Sequence, residues 1–229
     1  GITVQEAKAL SKTRRARTLD QYVGVIATHM IESQDLTVGK IAKTGTNVRL
    51  AAGVATADLL TNTATHSMQH GEVNRLLSAL DDQRAPKFAD GFYRMVLGSN
   101  PISDMFDNVA TTSLPGFIDV TRYSDPTNVL SGEIGTYLGF RWIKASQQVK
   151  DVLGAGALFG AYDLQYAVAC GADYLGYAVT ERRAIHPWAP SGDTMDRFQH
   201  AYWKGWDQYG VLQDSNGIVW KGISSFSAN

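Results

Sequence analysis

An α+β fold is what the sequence predicts, and three observations predict it. The chain opens on one very long helical stretch, a second amphipathic helix sits among short β-prone runs, and strands and helices interleave without regular βαβ alternation. The 229 residues are enough to bury a sizeable core without disulfide support. Hydrophobic residues make up 44% and charged residues 19%, a balance unlike that of disordered sequences. Twenty-one basic and 22 acidic residues leave a net charge of -1, which argues against a dedicated nucleic-acid binder with a strong basic footprint. The single cysteine, Cys170, excludes an intrachain disulfide and a cysteine zinc cluster. No apolar run approaches the ~20 residues that span a bilayer.

Thr3-Val4-Gln5-Glu6 is a capping box that starts the first helix. Leu19, Val23, Ile26 and Met30 recur at helical spacing, with Tyr22 and Ala27 beside them. The helix is expected from Val4 to Gln34, a rod of about 45 Å. Its first half is polar and carries Lys8, Lys12, Arg14, Arg15 and Arg17, so only half of its length requires an apolar neighbour. Residues 39–64, rich in Thr, Gly and Ala, read as extended chain with a short strand at 47–50. Val73, Leu76, Leu77 and Leu80 make one stripe of a helix over 67–83, stopped by Pro86. The apolar run between Gly91 and Gly98 reads as a buried strand, and Asn100-Pro101 opens a short helix through Phe106. Glycine-punctuated runs over 132–143 predict a hairpin. A strand pair is expected about Gly171-Ala172-Asp173-Tyr174. A C-terminal hairpin is expected between Ala201–Leu212 and Ile218–Ile223 across Ser215-Asn216-Gly217.

Few residues combine into chemistry. His66 and His70 stand four apart, zinc-ligand spacing on a helix, but Ser67 occupies the position of the catalytic glutamate and no third ligand is near in sequence. Gly154-Ala155-Gly156 lacks the glycine spacing of a dinucleotide loop and reads as a linker. Gly39-Lys40 lacks the rest of a phosphate-binding loop, and Cys170 among small apolar residues reads as an inert thiol. The carboxylate pairs Asp81-Asp82 and Asp104/Asp107 read as solvated faces. Trp203 and Trp206, three apart on a strand, point to opposite faces and do not form one stacking platform. No nucleophile, base and anion hole assemble, so no catalytic residue, metal or cofactor is expected.

The order of segments nevertheless resembles one family. Thr18-Leu19-Asp20 lies in the long helix and Gly45-Thr46-Asn47-Val48 follows it. Ala85-Pro86-Lys87-Phe88-Ala89-Asp90-Gly91-Phe92-Tyr93 follows the second helix. Gly132-Glu133-Ile134-Gly135 precedes Gly139-Phe140-Arg141, and Ser191-Gly192-Asp193 leads to Trp203-Lys204-Gly205 and Val211-Leu212. In this order the chain resembles major capsid proteins of tailed bacteriophages with the Hong Kong 97-type fold, and looks closest to coat proteins of short-tailed enterobacterial phages. It departs from them at Gly98-Ser99-Asn100-Pro101, where the family commonly has His-Pro, and at Thr194, where a proline is common. The family's N-terminal arm and extended loop precede the spine helix and have no counterpart in this sequence. With Gly1 first instead of Met, they are expected to have been removed by processing or left out.

The resemblance implies a peripheral domain from residues 1–44 (the spine helix) and 191–229, and an axial domain from residues 45–190. It implies a structural, non-enzymatic protein that forms pentamers and hexamers in an icosahedral shell around double-stranded DNA. Auxiliary or decoration capsid proteins and non-specific contact with the packaged double-stranded DNA are the further partnerships it implies, with no membrane role. Location in the virion after assembly in the host bacterial cytoplasm follows. Arg14, Arg15, Arg17, Trp203 and Trp206 are the expected subunit-interface residues. Two other readings compete: a metal-dependent hydrolase using His66, His70 and a distant carboxylate such as Asp58, and a non-viral nanocompartment shell of the same fold.

Overall fold

The computed structural model describes residues 4–53, 66–111, 118–119, 133–145, 158–159, 162–188 and 200–224. Within these, the side chains of residues 4–21, 107–111, 118–119, 158–159, 162–163, 187–188 and 200–201 lie outside the description. The chain divides into two compact units: residues 1–34 with 177–208, and residues 35–176 with 209–229. Helix α1 (Val4–Ala42) and strands β8 (Leu175–Trp188) and β9 (His200–Val211) each continue from one unit into the other.

Helix α1 is 39 residues long, about 58 Å, and so runs eight residues beyond the expected end at Gln34. Asp35, Thr37, Val38 and Gly39 are weak helix formers, but Gly39 and Ala42 are buried, and tertiary packing overrides the propensity. Tyr174 Oη donates to the Ala42 carbonyl at 2.6 Å and Thr44 Oγ1 to that of Ile41 at 2.7 Å, so the terminal carbonyls find donors.

The large unit is built on a mixed sheet. Its strands are β1 (Val48–Leu50), β2 (Tyr93–Leu97), β3 (Ile118–Asp119), β4 (Glu133–Tyr137), β5 (Phe140–Lys144), β6 (Leu158–Phe159), β7 (Tyr162–Cys170) and β10 (Gly217–Ile223). The order is β1-β10-β7-β2-β5-β4-β3, with β6 paired to β7. The pairs β1–β10 and β2–β5 are parallel and the others antiparallel. Both edges of this order are very short strands, which limits edge-to-edge association. Strand β2 alternates instead of being buried throughout: Tyr93, Met95 and Leu97 are buried, Arg94 and Val96 only partly.

Helix α2 (His70–Asp82) lays Val73, Leu76 and Leu80, each fully buried, on the core with Met95, Leu97, Phe140, Trp142, Ala167, Ala169, Ile218 and Trp220. Each such aliphatic side chain contributes roughly 1.5–3 kcal/mol on transfer from water. Helix α3 (Ser99–Thr111) outruns its expected end at Phe106 and buries Met105 in the same core. The β4–β5 hairpin forms as expected. Its two turn residues, Leu138 and Gly139, both have positive φ (45° and 74°), the geometry of a tight type I′ turn.

Two expectations fail. Strands β7 and β8 flank Gly171–Tyr174 but do not pair: β7 joins β10 and β2, whereas β8 pairs with β9 in a separate two-stranded ribbon. The Ala172 amide is spent on the Pro86 carbonyl at 2.8 Å, and Asp173 adopts φ 63°, so the chain bends here from one sheet to the other. The C-terminal hairpin does not form either, because β9 pairs with β8 and β10 with β7 and β1. Asn216-Gly217 looked like a hairpin turn, but Asn216 is buried, its Nδ2 donating to the Ala172 carbonyl at 2.9 Å and its own carbonyl accepting from Gly171 at 2.8 Å. Long-range partners have taken the groups that a tight turn would use. Among the described residues no helix is long and apolar enough to cross a membrane.

Candidate functional site

In the small unit, β9 alternates from Tyr202 to Gln208. Trp203, Gly205 and Asp207 are partly buried, whereas Tyr202, Lys204, Trp206 and Gln208 are exposed. The inner set is tied to helix α1. Arg183 Nε lies 3.0 Å from both carboxylate oxygens of Asp207, and Arg183 Nη1 donates to the Met30 carbonyl at 3.4 Å. Its guanidinium lies over the Trp203 ring at 5.3 Å, and Trp203 Nε1 donates to His29 Nδ1 at 3.3 Å. Arginine presents the planar fork that serves a carboxylate, a carbonyl and a ring face together.

The outer set mixes the aromatic rings of Tyr202 and Trp206 with Lys204, which pairs with Glu181 at 3.0 Å, and Gln208. Trp206 is 65% exposed, and Tyr202 stacks on His186 at 5.6 Å between ring centres while remaining half exposed. Tyr177 and Val179 on β8, and Tyr22, Val25 and Ile31 on α1, are exposed as well. Trp203 and Trp206 thus occupy opposite faces of one strand, the first packed and the second free to meet another surface. Arg14, Arg15 and Arg17 lie in α1, with their side chains outside the described residues.

The large unit holds an ion cluster that sequence reasoning missed. Strands β2 and β5 are parallel with Arg94 opposite Arg141, a like-charge pair that would repel. Asp90, in the turn before β2, contacts both: its Oδ2 lies 2.8 Å from Arg94 Nη2 and 2.8 Å from Arg141 Nε. Arg141 Nη1 also reaches Glu133 Oε2 at 3.5 Å, and the Glu133 side chain is fully buried. Phe88 and Phe92 present their rings to Arg94 and Arg141 at 4.5 and 5.8 Å. Burial works to raise the Asp90 carboxyl, but the Arg94 hydrogen bond, the Phe92 amide and the charges of Arg94 and Arg141 together hold it below its usual range. Asp90, Glu133 and Arg141, one from each of three quoted segments, therefore meet in one place. Their separation in sequence, and an unknown parallel register, hid this.

The other candidates do not converge. His66 and His70 are not on one helix: residues 67–69 between them are non-helical, Gln69 is the N-cap of α2, and His70 Nδ1 is hydrogen-bonded to Tyr137 Oη. Among the described residues no three His, Cys, Asp or Glu side chains group as metal ligands; Asp58 lies outside them. Gly39-Lys40 is inside α1, and Gly154–Gly156 lie outside the described residues, as do Leu114–Phe117 and Ser191–Asp193. Burial pushes the Cys170 thiol up to about 12 against the pull of Arg94, which suits an unreactive residue. Asp81 is partly exposed, accepts from Tyr93 Oη at 2.9 Å and sits 3.7 Å from Lys87 Nζ. Asp104 is buried.

No protein-family model matches the sequence, and no curated protein matches it. The α+β fold does match known structures, those of phage capsid chains. A chain of the cyanophage P-SCSP1u capsid superposes with a TM-score of 0.56 at 12% identity, covering 90% of this chain and 66% of that one. A chain of the cyanophage Pam1 capsid gives 0.54 at 14% identity, covering 98% and 70%. A chain from Mycobacterium phage Che8 gives 0.55 at 14% identity over 88% of this chain. The sequence spans 62% of the length of the Che8 chain.

Proposed function

We propose that this chain is a structural major capsid protein of the Hong Kong 97 type, whose copies assemble into an icosahedral shell around double-stranded DNA, with its place in the virion. The observation that carries this reading is the superposition on capsid chains along nearly the whole sequence. The motif order supports the narrower likeness to coat proteins of short-tailed phages. On this reading residues 1–44 and 191–229 form the peripheral domain and residues 45–190 the axial domain.

Physical observations support an assembly role. Trp206, Tyr202, Tyr177, Tyr22 and Val25 expose large apolar surfaces on the smaller unit, and burying them against neighbouring copies is worth about 25 cal/mol per Å². Repetition of modest contacts around a closed shell makes the particle stable. Negative-stain microscopy of the purified protein tests the proposal. Closed particles tens of nanometres across are expected. A strictly monomeric species by analytical ultracentrifugation at high protein concentration refutes it. Nuclease-protected DNA inside particles from infected or expressing cells separates a phage shell from a nanocompartment holding protein cargo.

A further inference from the structure

The mixed sheet of the large unit ends in two edge strands, β1 and β3. At the β1 edge the Val219 amide donates to the Asn47 carbonyl at 2.9 Å, which fixes the phase of the parallel ladder. Arg49 therefore spends its main-chain groups on β10, and Val48 and Leu50 turn theirs to the side that no described strand occupies. A cleft of about 590 Å³, within the 300–1,000 Å³ range of ligand clefts, is lined by β1 and by Glu72, Arg75 and Leu76 of α2. Glu72 is already engaged by Arg75 at 2.7 Å, by the Ala52 amide at 3.2 Å and by Trp220 Nε1 at 3.4 Å. Arg49 is exposed and has no hydrogen-bond or ion-pair partner among the described residues.

The opposite edge carries the complementary pattern. Strand β1 reads Val48-Arg49-Leu50, a cation between two aliphatic residues, and β3 lies in Ile118-Asp119-Val120, a carboxylate between two β-branched ones. The directions agree as well. Along the order from β1 to β3 four pairs are antiparallel and two are parallel, so β1 and β3 run the same way. A second copy displaced sideways along the sheet, and turned about an axis near the strand direction, brings its β3 beside β1 in parallel and continues the sheet.

We infer that the β1 edge of one copy receives the β3 edge of the next, with Arg49 paired to Asp119 across the junction, an inference that rests on the shell reading and names the two edges that join neighbours. Charge selects this head-to-tail pairing. Joining β1 to β1 sets Arg49 against Arg49, and joining β3 to β3 sets Asp119 against Asp119, like charges opposite one another. A head-to-tail contact repeats and closes into a ring, whereas a symmetric one stops at a dimer. With three residues on one edge and two on the other, the contact is weak alone and resists indiscriminate pairing. It holds where ring closure repeats it.

The test is disulfide trapping in the full 229-residue chain. Arg49→Cys combined with Asp119→Cys, mildly oxidised, should give a ladder of covalent oligomers on a non-reducing gel. Neither single variant should do so, which also controls for the native Cys170. Charge exchange supplies the second readout. Arg49→Asp or Asp119→Arg alone should lower particle yield by about tenfold or more, the two together should restore it, and Arg49→Lys should assemble like the parent. Should the Asp119 variants fail to fold by circular dichroism, Arg49→Asp against Arg49→Lys carries the test, since Arg49 is exposed. A folded Arg49→Asp chain that assembles like the parent overturns the proposal and leaves the edge to a different chain. So does a covalent dimer from Arg49→Cys alone, which would assign β1 to a symmetric contact. If wild-type protein forms no particles, the shell reading falls on microscopy alone. If particles form and neither trapping nor charge exchange involves these edges, only this inference falls.

Discussion

Tyr174 shows how single residues hold this chain together. It is fully buried, its hydroxyl closes the end of α1 through Ala42, and its ring lies against Gly217 so closely that a Cβ there would sit 2.3 Å from ring carbons. Replacing Tyr174 with Phe leaves the Ala42 carbonyl without that donor and should cost about 1–2 kcal/mol in urea unfolding. Gly217→Ala forces the ring aside and should cost about 1–3 kcal/mol in the same assay. Burial, then the charges of Cys170 and Asp214, pushes the Tyr174 hydroxyl from 10.0 up to about 12. Burial and Asp81 do the same for Tyr93. A raised folded-state value means that the stabilisation is whole below pH 10 and is lost as pH rises from there towards 12. Absorbance at 295 nm should therefore show Tyr93 and Tyr174 titrating late, with Tyr137 and Tyr166 also displaced upwards by burial, and stability falling across that window. Tyrosinate forming near pH 10 at Tyr93 and Tyr174, without unfolding, would contradict this.

Among the elements, the turn before β2 is fastened to the sheet by Asp90. The Asp90 carboxylate has a lowered folded-state value, so its contribution is present above its ordinary 3.8 and is lost as pH falls below that value. Asp90→Asn should therefore flatten the acid limb of the stability profile below pH 4, measured by thermal melts, as well as lower stability at pH 7. Arg141→Ala removes the cation beside the fully buried Glu133 side chain and should cost about 3–5 kcal/mol. This cluster marks the limit of what local reading recovers. The stripe of Val73, Leu76 and Leu80, the glycine-bounded runs of the β4–β5 hairpin and the long first helix were legible because their signals are periodic or local. Partners far apart in sequence were not. Asn216-Gly217 carries a hairpin signature, yet its polar groups answer to Gly171 and Ala172, and Thr46 hydrogen-bonds to Asp214. Gly45-Thr46-Asn47 could be quoted as part of a motif, but the contact of Thr46 with Asp214 exists only once β1 and β10 lie side by side.

For the whole molecule, the contrast between Trp203 and Trp206 separates folding from assembly. Trp203 packs under Arg183 and against His29, so Trp203→Ala should destabilise the isolated chain by about 2 kcal/mol. Trp206 is mostly exposed, so Trp206→Ala should leave the melting temperature unchanged within about 0.5 kcal/mol of equivalent stability. On the shell reading its effect falls on assembly. A tryptophan buried at a subunit contact contributes about 2 kcal/mol or more, and in a closed particle each subunit meets that loss at every equivalent contact. Particle yield by sedimentation should fall steeply for Trp206→Ala, and also for the combined Arg14→Ala, Arg15→Ala, Arg17→Ala variant, while circular dichroism stays native for both. A Trp206→Ala chain that assembles as well as the parent would remove this face from the contact surface. On the shell reading, copies would then have to be held by surfaces on the larger unit, where Phe106 and Leu212 are the exposed apolar side chains with the most to gain from a neighbour.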